Sequence, residues 1–158
     1  MAPREVDAAR LTAGAAYLAS VRELGLAPDA LFWAFDEKWS SWVLVLVSPF
    51  FDYAGPKALS EILFKAYDRA GTPKEIDPFV LRLHSPDQRL IQDMAKFLGR
   101  KDMRVAGEDG PVMPLTWGLQ GEIEIPVQQI YHFAVGSKDR DVARKWQFAV
   151  DKVDRLAA

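Results

Sequence analysis

Leu31-Phe32-Trp33-Ala34-Phe35, then Asp36-Glu37-Lys38-Trp39-Ser40-Ser41, then Trp42-Val43-Leu44-Val45-Leu46-Val47-Ser48-Pro49 is the stretch whose reading decides the fold. Its outer runs are rich in aromatic and β-branched side chains, which fit a pleated surface. The middle is polar apart from Trp39 and short enough for a hairpin connection. The second run is apolar at every position, as expected of a strand covered on both faces. Ser48-Pro49 ends it, because Pro brings no N–H to a ladder.

Working outward, Gly55-Pro56 opens a helix, Pro at a first helical position losing nothing by its missing N–H. Leu59, Ile62, Leu63, Ala66, Tyr67 and Ala70 then recur on one face. Gly71 reads as the C-cap, and Pro73 blocks continuation. Val6 to Leu24 reads as an earlier helix. Phe79 to His84 alternates like a third strand, with Phe79, Leu81 and Leu83 on one face and Arg82 and His84 on the other. Ser85-Pro86-Asp87-Gln88 then has the form of a capping box, starting a helix that ends at Gly99. Arg100 to Pro114 reads as a connection. Strands are expected at Leu115–Leu119, Glu122–Ile125 and Gln128–Val135, with a turn at Gln120-Gly121 and an edge strand or a break suggested by Pro126. A last helix is expected over Asp139–Leu156, capped by Ser137.

The pattern predicts one α+β domain over residues 1–158: a mainly antiparallel sheet of five to six strands, helices packed on it, and helices at both ends. At 158 residues and 49% hydrophobic content a single core suffices without staples. There is no cysteine, which removes disulfides, thiolate chemistry and Cys-ligated metal sites and fits a cytoplasmic home. Leu11 to Ala19 resembles a secretion h-region. However, Arg4, Glu5, Asp7 and Arg10 cancel in charge and the pattern runs on into Arg22-Glu23, so a helix is expected instead. No apolar run nears the roughly 20 residues of a membrane span.

From Trp33 to Leu98 the chain resembles short uncharacterised bacterial α+β proteins. The shared features are the aromatic hairpin closing on Ser48-Pro49, the helix opened by Gly55-Pro56, and the later Ser85-Pro86-Asp87. The resemblance covers under half of the chain. It implies a fold and no catalytic residue.

Chemistry is sparse. The two histidines, His84 and His132, could form half a metal site only if adjacent strands turned them to the same face. Glu122 and Glu124, two apart on a strand, would share a face roughly 7 Å apart, a spacing used by inverting glycosidases and equally typical of a solvated strand. His84, Ser85 and Asp87 do not form a triad, since neighbours on a strand point to opposite faces. No glycine-rich phosphate loop and no metalloprotease motif occurs, so neither a cofactor nor a metal is expected. The net charge of −2 supplies no basic stripe for nucleic acid; Arg100, Lys101 and Arg104 form the one local cluster, where cations also suit a helix C-terminus.

Misplaced aromatics are more informative. With 100° of rotation per residue, Phe148 falls about 140° from the core face of the last helix, and Phe64 about 120° from that of the second. With Trp39 at the hairpin tip, they suggest an interface. The sequence therefore favours a non-catalytic interaction module or small subunit, self-associating or docking on a protein partner. Its alternatives are a small hydrolase-like enzyme built on the His and Glu candidates, and a nucleic-acid accessory protein.

Overall fold

The computed structural model describes residues 6–98, 103–104, 112–116, 122–126, 129–135 and 140–156. Its architecture is α+β. In chain order the elements are α1 (Ala8–Glu23), β1 (Ala30–Asp36), β2 (Ser41–Val47), α2 (Phe50–Tyr53), α3 (Pro56–Asp68), a 3-10 turn (Pro78–Val80), β3 (Leu81–His84), α4 (Arg89–Leu98), β4 (Met103–Arg104), β5 (Val112–Thr116), β6 (Glu122–Pro126), β7 (Ile130–Phe133) and α5 (Val142–Asp154).

The hairpin forms as its residue types require, with β1 and β2 in antiparallel register from Ala30↔Val47 to Asp36↔Ser41. β1 is central. Its second edge is shared: β7 pairs with Ala30 to Phe32, and β6 with Phe35 and Asp36. The strand path is β3-β2-β1-β6-β5, with β4 attached to β7.

The sheet departs from the expected five to six mainly antiparallel strands. Among the described residues it has seven and is mixed, because β3 runs parallel to β2, from Leu44↔Leu81 to Val47↔His84. The helical crossover through α3 returns the chain to the same end, which is what a parallel pair demands. The additional strand, β4, comes from the segment expected to be a connection, which also contributes the start of β5. Pro114 lies inside β5, at the end of the path, where a missing N–H can be tolerated. Of the two readings of Pro126 the break holds: Pro126 is the last residue of β6, which sits between β1 and β5 and is not an edge strand.

β2 is covered on both faces, as its unbroken apolar run implies. Leu44 and Leu46 join Leu31 and Trp33 in a core with Tyr17 and Val21 of α1, Leu59 and Leu63 of α3, and Ala149 and Val153 of α5. Val43, Val45 and Val47 join Ala30, Phe32 and Ala34 in a second core under Ile91 and Met94 of α4.

Two local expectations change. Asp77 accepts a hydrogen bond from the Phe79 N–H (2.8 Å) and starts the 3-10 turn, so strand alternation begins only at Leu81 and Phe79 leaves the core face. Ser85 does not cap a helix starting at Pro86. Its hydroxyl accepts from Asp87 N–H (3.0 Å) and donates to Asp52 Oδ2 (2.6 Å), stabilising a turn, and α4 begins at Arg89.

The end of α3 exchanges the roles of two residues. The left-handed position is Ala70, with φ of 58°, not Gly71. Ala70 N–H bonds to the Tyr67 carbonyl (3.1 Å) and Gly71 N–H to the Ala66 carbonyl (2.7 Å), the two bonds of a Schellman motif. Gly71 is needed for space instead: a Cβ there would come within 2.6 Å of Leu156 Cδ1 and 3.2 Å of the Ala66 oxygen. Ala70→Gly should therefore stabilise the protein by roughly 0.5–1 kcal/mol, since left-handed backbone costs an L-residue about that or more. Gly71→Ala should destabilise it by roughly 1–3 kcal/mol through overpacking. Thermal unfolding of the two variants checks this exchange of roles, and equal effects of the same sign would refute it.

Candidate functional site

The aromatic surface is built on α3 and the start of β3. Leu59, Ile62, Leu63 and Ala66 fix the buried face of α3 and leave Phe64 on its flank. Phe79, projected outward by the 3-10 turn, packs edge-on against Phe64 with ring centroids 5.1 Å apart and an interplanar angle of 74°. Phe64 is thereby half-buried, while Phe79 remains 77% exposed. Beside them, Ser60, Leu63, Phe64, Pro78, Leu81 and Leu83 line a shallow cleft of about 80 Å³.

β3 ends the strand path, so this surface borders a sheet edge. The Arg82 guanidinium folds back to donate to the carbonyls of Phe79 (3.1 Å) and Leu81 (3.2 Å). That arrangement occupies acceptors that a further strand would otherwise use, a recognised protection of edges. The aromatic rings, rather than the backbone, are what the surface offers.

Trp39 lies in the hairpin turn at the same end of the sheet, 65% exposed, with the Lys38 ammonium 5.4 Å from its ring centroid. Asp36 Oδ1 accepts from Lys38 N–H (3.0 Å) and orders the turn. Phe148 does not join these residues. It is 56% exposed on α5, beside Gly25, at the end where β1 begins. The three aromatics singled out by the sequence thus divide between two ends of the sheet.

The histidines are separated. His84 pairs with Val47, whose side chain belongs to the α4-side core. His132 is opposite Leu31, whose side chain belongs to the α1-side core. A register shift at this point, with Ile130 and Phe133 both in the α4-side core, turns Tyr131 and His132 to the α1 side. The two imidazoles therefore occupy opposite faces, with β1 and β2 between their strands. Glu124 is registered on Phe35 and Glu122 on Thr116, toward the hairpin end and away from His84. Among the described residues, no group of three or more acidic, His or Cys side chains could hold a metal ion. Arg100 and Lys101 lie outside the described residues; Arg104 is in β4, registered on His132.

His84 Nδ1–H donates to Gln88 Oε1. Burial holds its pKa below the usual imidazole value; the Gln88 bond opposes this and the nearby Arg82 charge adds to it. The neutral form is thus favoured, which suits a structural strand-end histidine.

Sequence reasoning missed Phe79 and Tyr131. Phe79 looked like a core position of an alternating strand; Asp77-Pro78, a turn start, was the available signal. Tyr131 joins α1, β1 and β7: its hydroxyl accepts from Trp33 Nε1–H (2.9 Å) and donates to the Leu11 carbonyl (2.7 Å). Gly14 makes room for it, since a Cβ there would lie 2.3 Å from the Tyr131 oxygen. A glycine inside an Ala-rich helix was the hint of such a close approach.

Comparisons with protein-family models, curated proteins and solved structures find no match. The functional reading therefore rests on the chain's own geometry.

Two titrations follow. Burial pushes the Tyr131 phenol up to about 12, against a bond from Trp33 that lowers it. Its stabilising contribution is whole below pH 10 and is lost as pH rises from there through about 12, because the unfolded chain ionises first. Tyr131→Phe should cost roughly 1–3 kcal/mol at neutral pH by orphaning the Trp33 N–H, and should flatten that alkaline loss. For His84, whose folded pKa is depressed, the contribution is full above about pH 6.5 and falls as pH drops below it. Denaturant unfolding of His84→Gln across this range should show a weaker acid dependence than the parent chain; an unchanged slope would contradict the assignment.

Proposed function

We propose that this protein is a non-catalytic interaction module that self-associates through the surface formed by Phe64, Phe79 and the start of β3. The carrying observation is Phe79: a large aromatic held 77% exposed, braced edge-on by Phe64 at the border of the sheet. A ring fixed by a neighbour loses little side-chain freedom on docking, and aromatics are the residues most enriched in interface centres. A twofold arrangement would place the same aromatic pair on both sides of the contact, the commonest symmetry of homo-oligomers. Arg82 favours side-chain docking over strand addition, because its guanidinium already occupies edge carbonyls. Trp39 and Trp42 lie toward the same end of the sheet and could extend the contact.

The enzyme alternative draws on His84, His132, Glu122 and Glu124, of which the two histidines lie on opposite faces of the sheet. The nucleic-acid alternative gains nothing from the described residues. Among these, no helix is long and apolar enough to cross a membrane. The absence of cysteine supports a cytoplasmic setting within the same reading.

Light scattering coupled to size exclusion tests the proposal. The parent chain should run as a dimer or larger assembly at high micromolar concentration. Phe79→Glu should shift it to monomer with unchanged helical content and thermal stability, because Phe79 contributes little to the core. A parent chain that stays monomeric, or an F79E variant that assembles as before, would overturn the self-association reading.

A further inference from the structure

The outward face of α3 carries an ordered row of charges around Phe64. At about 100° of rotation per residue, Lys57, Glu61, Phe64 and Asp68 fall within a stripe of roughly 60°. Their steps of four, three and four residues keep the stripe facing a single neighbouring helix, as in a paired-helix seam.

The other sides of α3 are committed. Leu59, Ile62, Leu63 and Ala66 face the core. Lys65 and Arg69 turn to α5, where Asp154 and the carbonyls of Val153 and Asp154 engage them. Phe79 packs on the flank of Phe64. Lys57, Glu61 and Asp68 are exposed, and among the described residues no hydrogen bond or ion pair engages their side chains. Two of them also stand at the wrong end of their own helix. Lys57 lies in the first turn, where the helix dipole is positive, and Asp68 is the last residue, where it is negative.

We infer that two copies of this chain pair through antiparallel α3 helices about a twofold axis, with Lys57 of each copy against Asp68 of the other. This pairing rests on the self-association proposed above and adds its orientation and register. An antiparallel neighbour answers the dipole conflict, because Lys57 then lies beside the carboxyl end of the other α3 and Asp68 beside its amino end.

The order of the charges selects this arrangement. With the axis between positions 62 and 63, Lys57 faces Asp68 and Glu61 faces Phe64, each twice. The two Phe64 positions then lie about 4.5 Å apart along the helices, and Phe79 flanks the seam in each copy. A parallel pair would set Lys57 against Lys57, Glu61 against Glu61 and Asp68 against Asp68. Sliding the antiparallel pair until Glu61 faces Asp68 again opposes like charges, which counts against that register. Sliding it the other way, until Lys57 faces Glu61, carries Phe64 opposite position 54, before α3 begins. Exposed ion pairs contribute little energy each, so the rings supply the buried area and the charges fix orientation.

Charge reversal with rescue tests the pairing, read by sedimentation equilibrium of the full chain. Lys57→Asp and Asp68→Lys should each weaken association about tenfold or more, because each sets like charges together at both ends of the seam. The double variant K57D/D68K should associate as the parent does. An equimolar mixture of the two single variants should associate more tightly than either alone, since the mixed dimer restores opposite charges at both ends. The pairing is overturned if the single variants associate as tightly as the parent, or if neither the double variant nor the mixture recovers what they lose. Self-association through Phe64 and Phe79 would then stand on its own, provided that F79E still abolishes it. A parent chain that is monomeric throughout overturns both.

Discussion

Trp33 carries an indole N–H into the middle of a strand that is covered on both faces, and an N–H buried there without a partner would cost roughly 1–3 kcal/mol. Tyr131 supplies that partner and passes the bond on to the Leu11 carbonyl of α1. The consequences spread through three elements. The register shift in β7 turns Tyr131 toward α1. Gly14 lets the phenol cross the helix at a distance no side chain would allow. The α1 helix is thereby fixed by a specific polar contact as well as by apolar burial, which is non-directional and does not by itself set a position along the sheet.

With the centre fixed, the two ends of the sheet are free to differ. At the hairpin end, a 3-10 turn replaces the first residues of the expected third strand and turns Phe79 out against Phe64. At the other end, the loops after α1 and β2 meet the first turns of α5 around a cleft that Phe50 and Phe148 line. α3 and α5 are themselves tied together: the Arg69 guanidinium donates to the carbonyls of Val153 (3.2 Å) and Asp154 (3.1 Å), and Lys65 pairs with Asp154. Exposed ion pairs of this kind contribute little energy, but Arg69 also donates to two of the last carbonyls of α5, which a helix end leaves short of donors.

Much of the fold was legible because local chemistry and burial agree. The apolar run of β2 predicted two covered faces, and Gly55-Pro56 placed the start of α3 at its observed residue. Legibility failed where a tertiary partner redirected a local signal. Ser85 reads as a helix cap until Asp52, distant in sequence, accepts its hydroxyl hydrogen bond and holds it in a turn. Gly71 reads as the left-handed cap until Leu156 claims its space, leaving the strained position to Ala70. Strand direction was hidden as well, since nothing in Leu81 to His84 encodes that it lies parallel to β2. Of the candidate surface, helical rotation exposed Phe64 and Phe148 as misfits. It could not show that they serve different ends of the molecule, because that depends on strand order.

The proposed self-association places the contact between copies at the hairpin end of the sheet, through Phe64 and Phe79. Hydrogen–deuterium exchange measured across a range of protein concentrations addresses it without altering the sequence. With self-association there, amides of residues 60–64 and 78–84 become more protected as concentration rises, while those of residues 25–29 do not change. Exchange at residues 78–84 that is independent of concentration, or protection that grows only at residues 25–29 and 144–148, would contradict it.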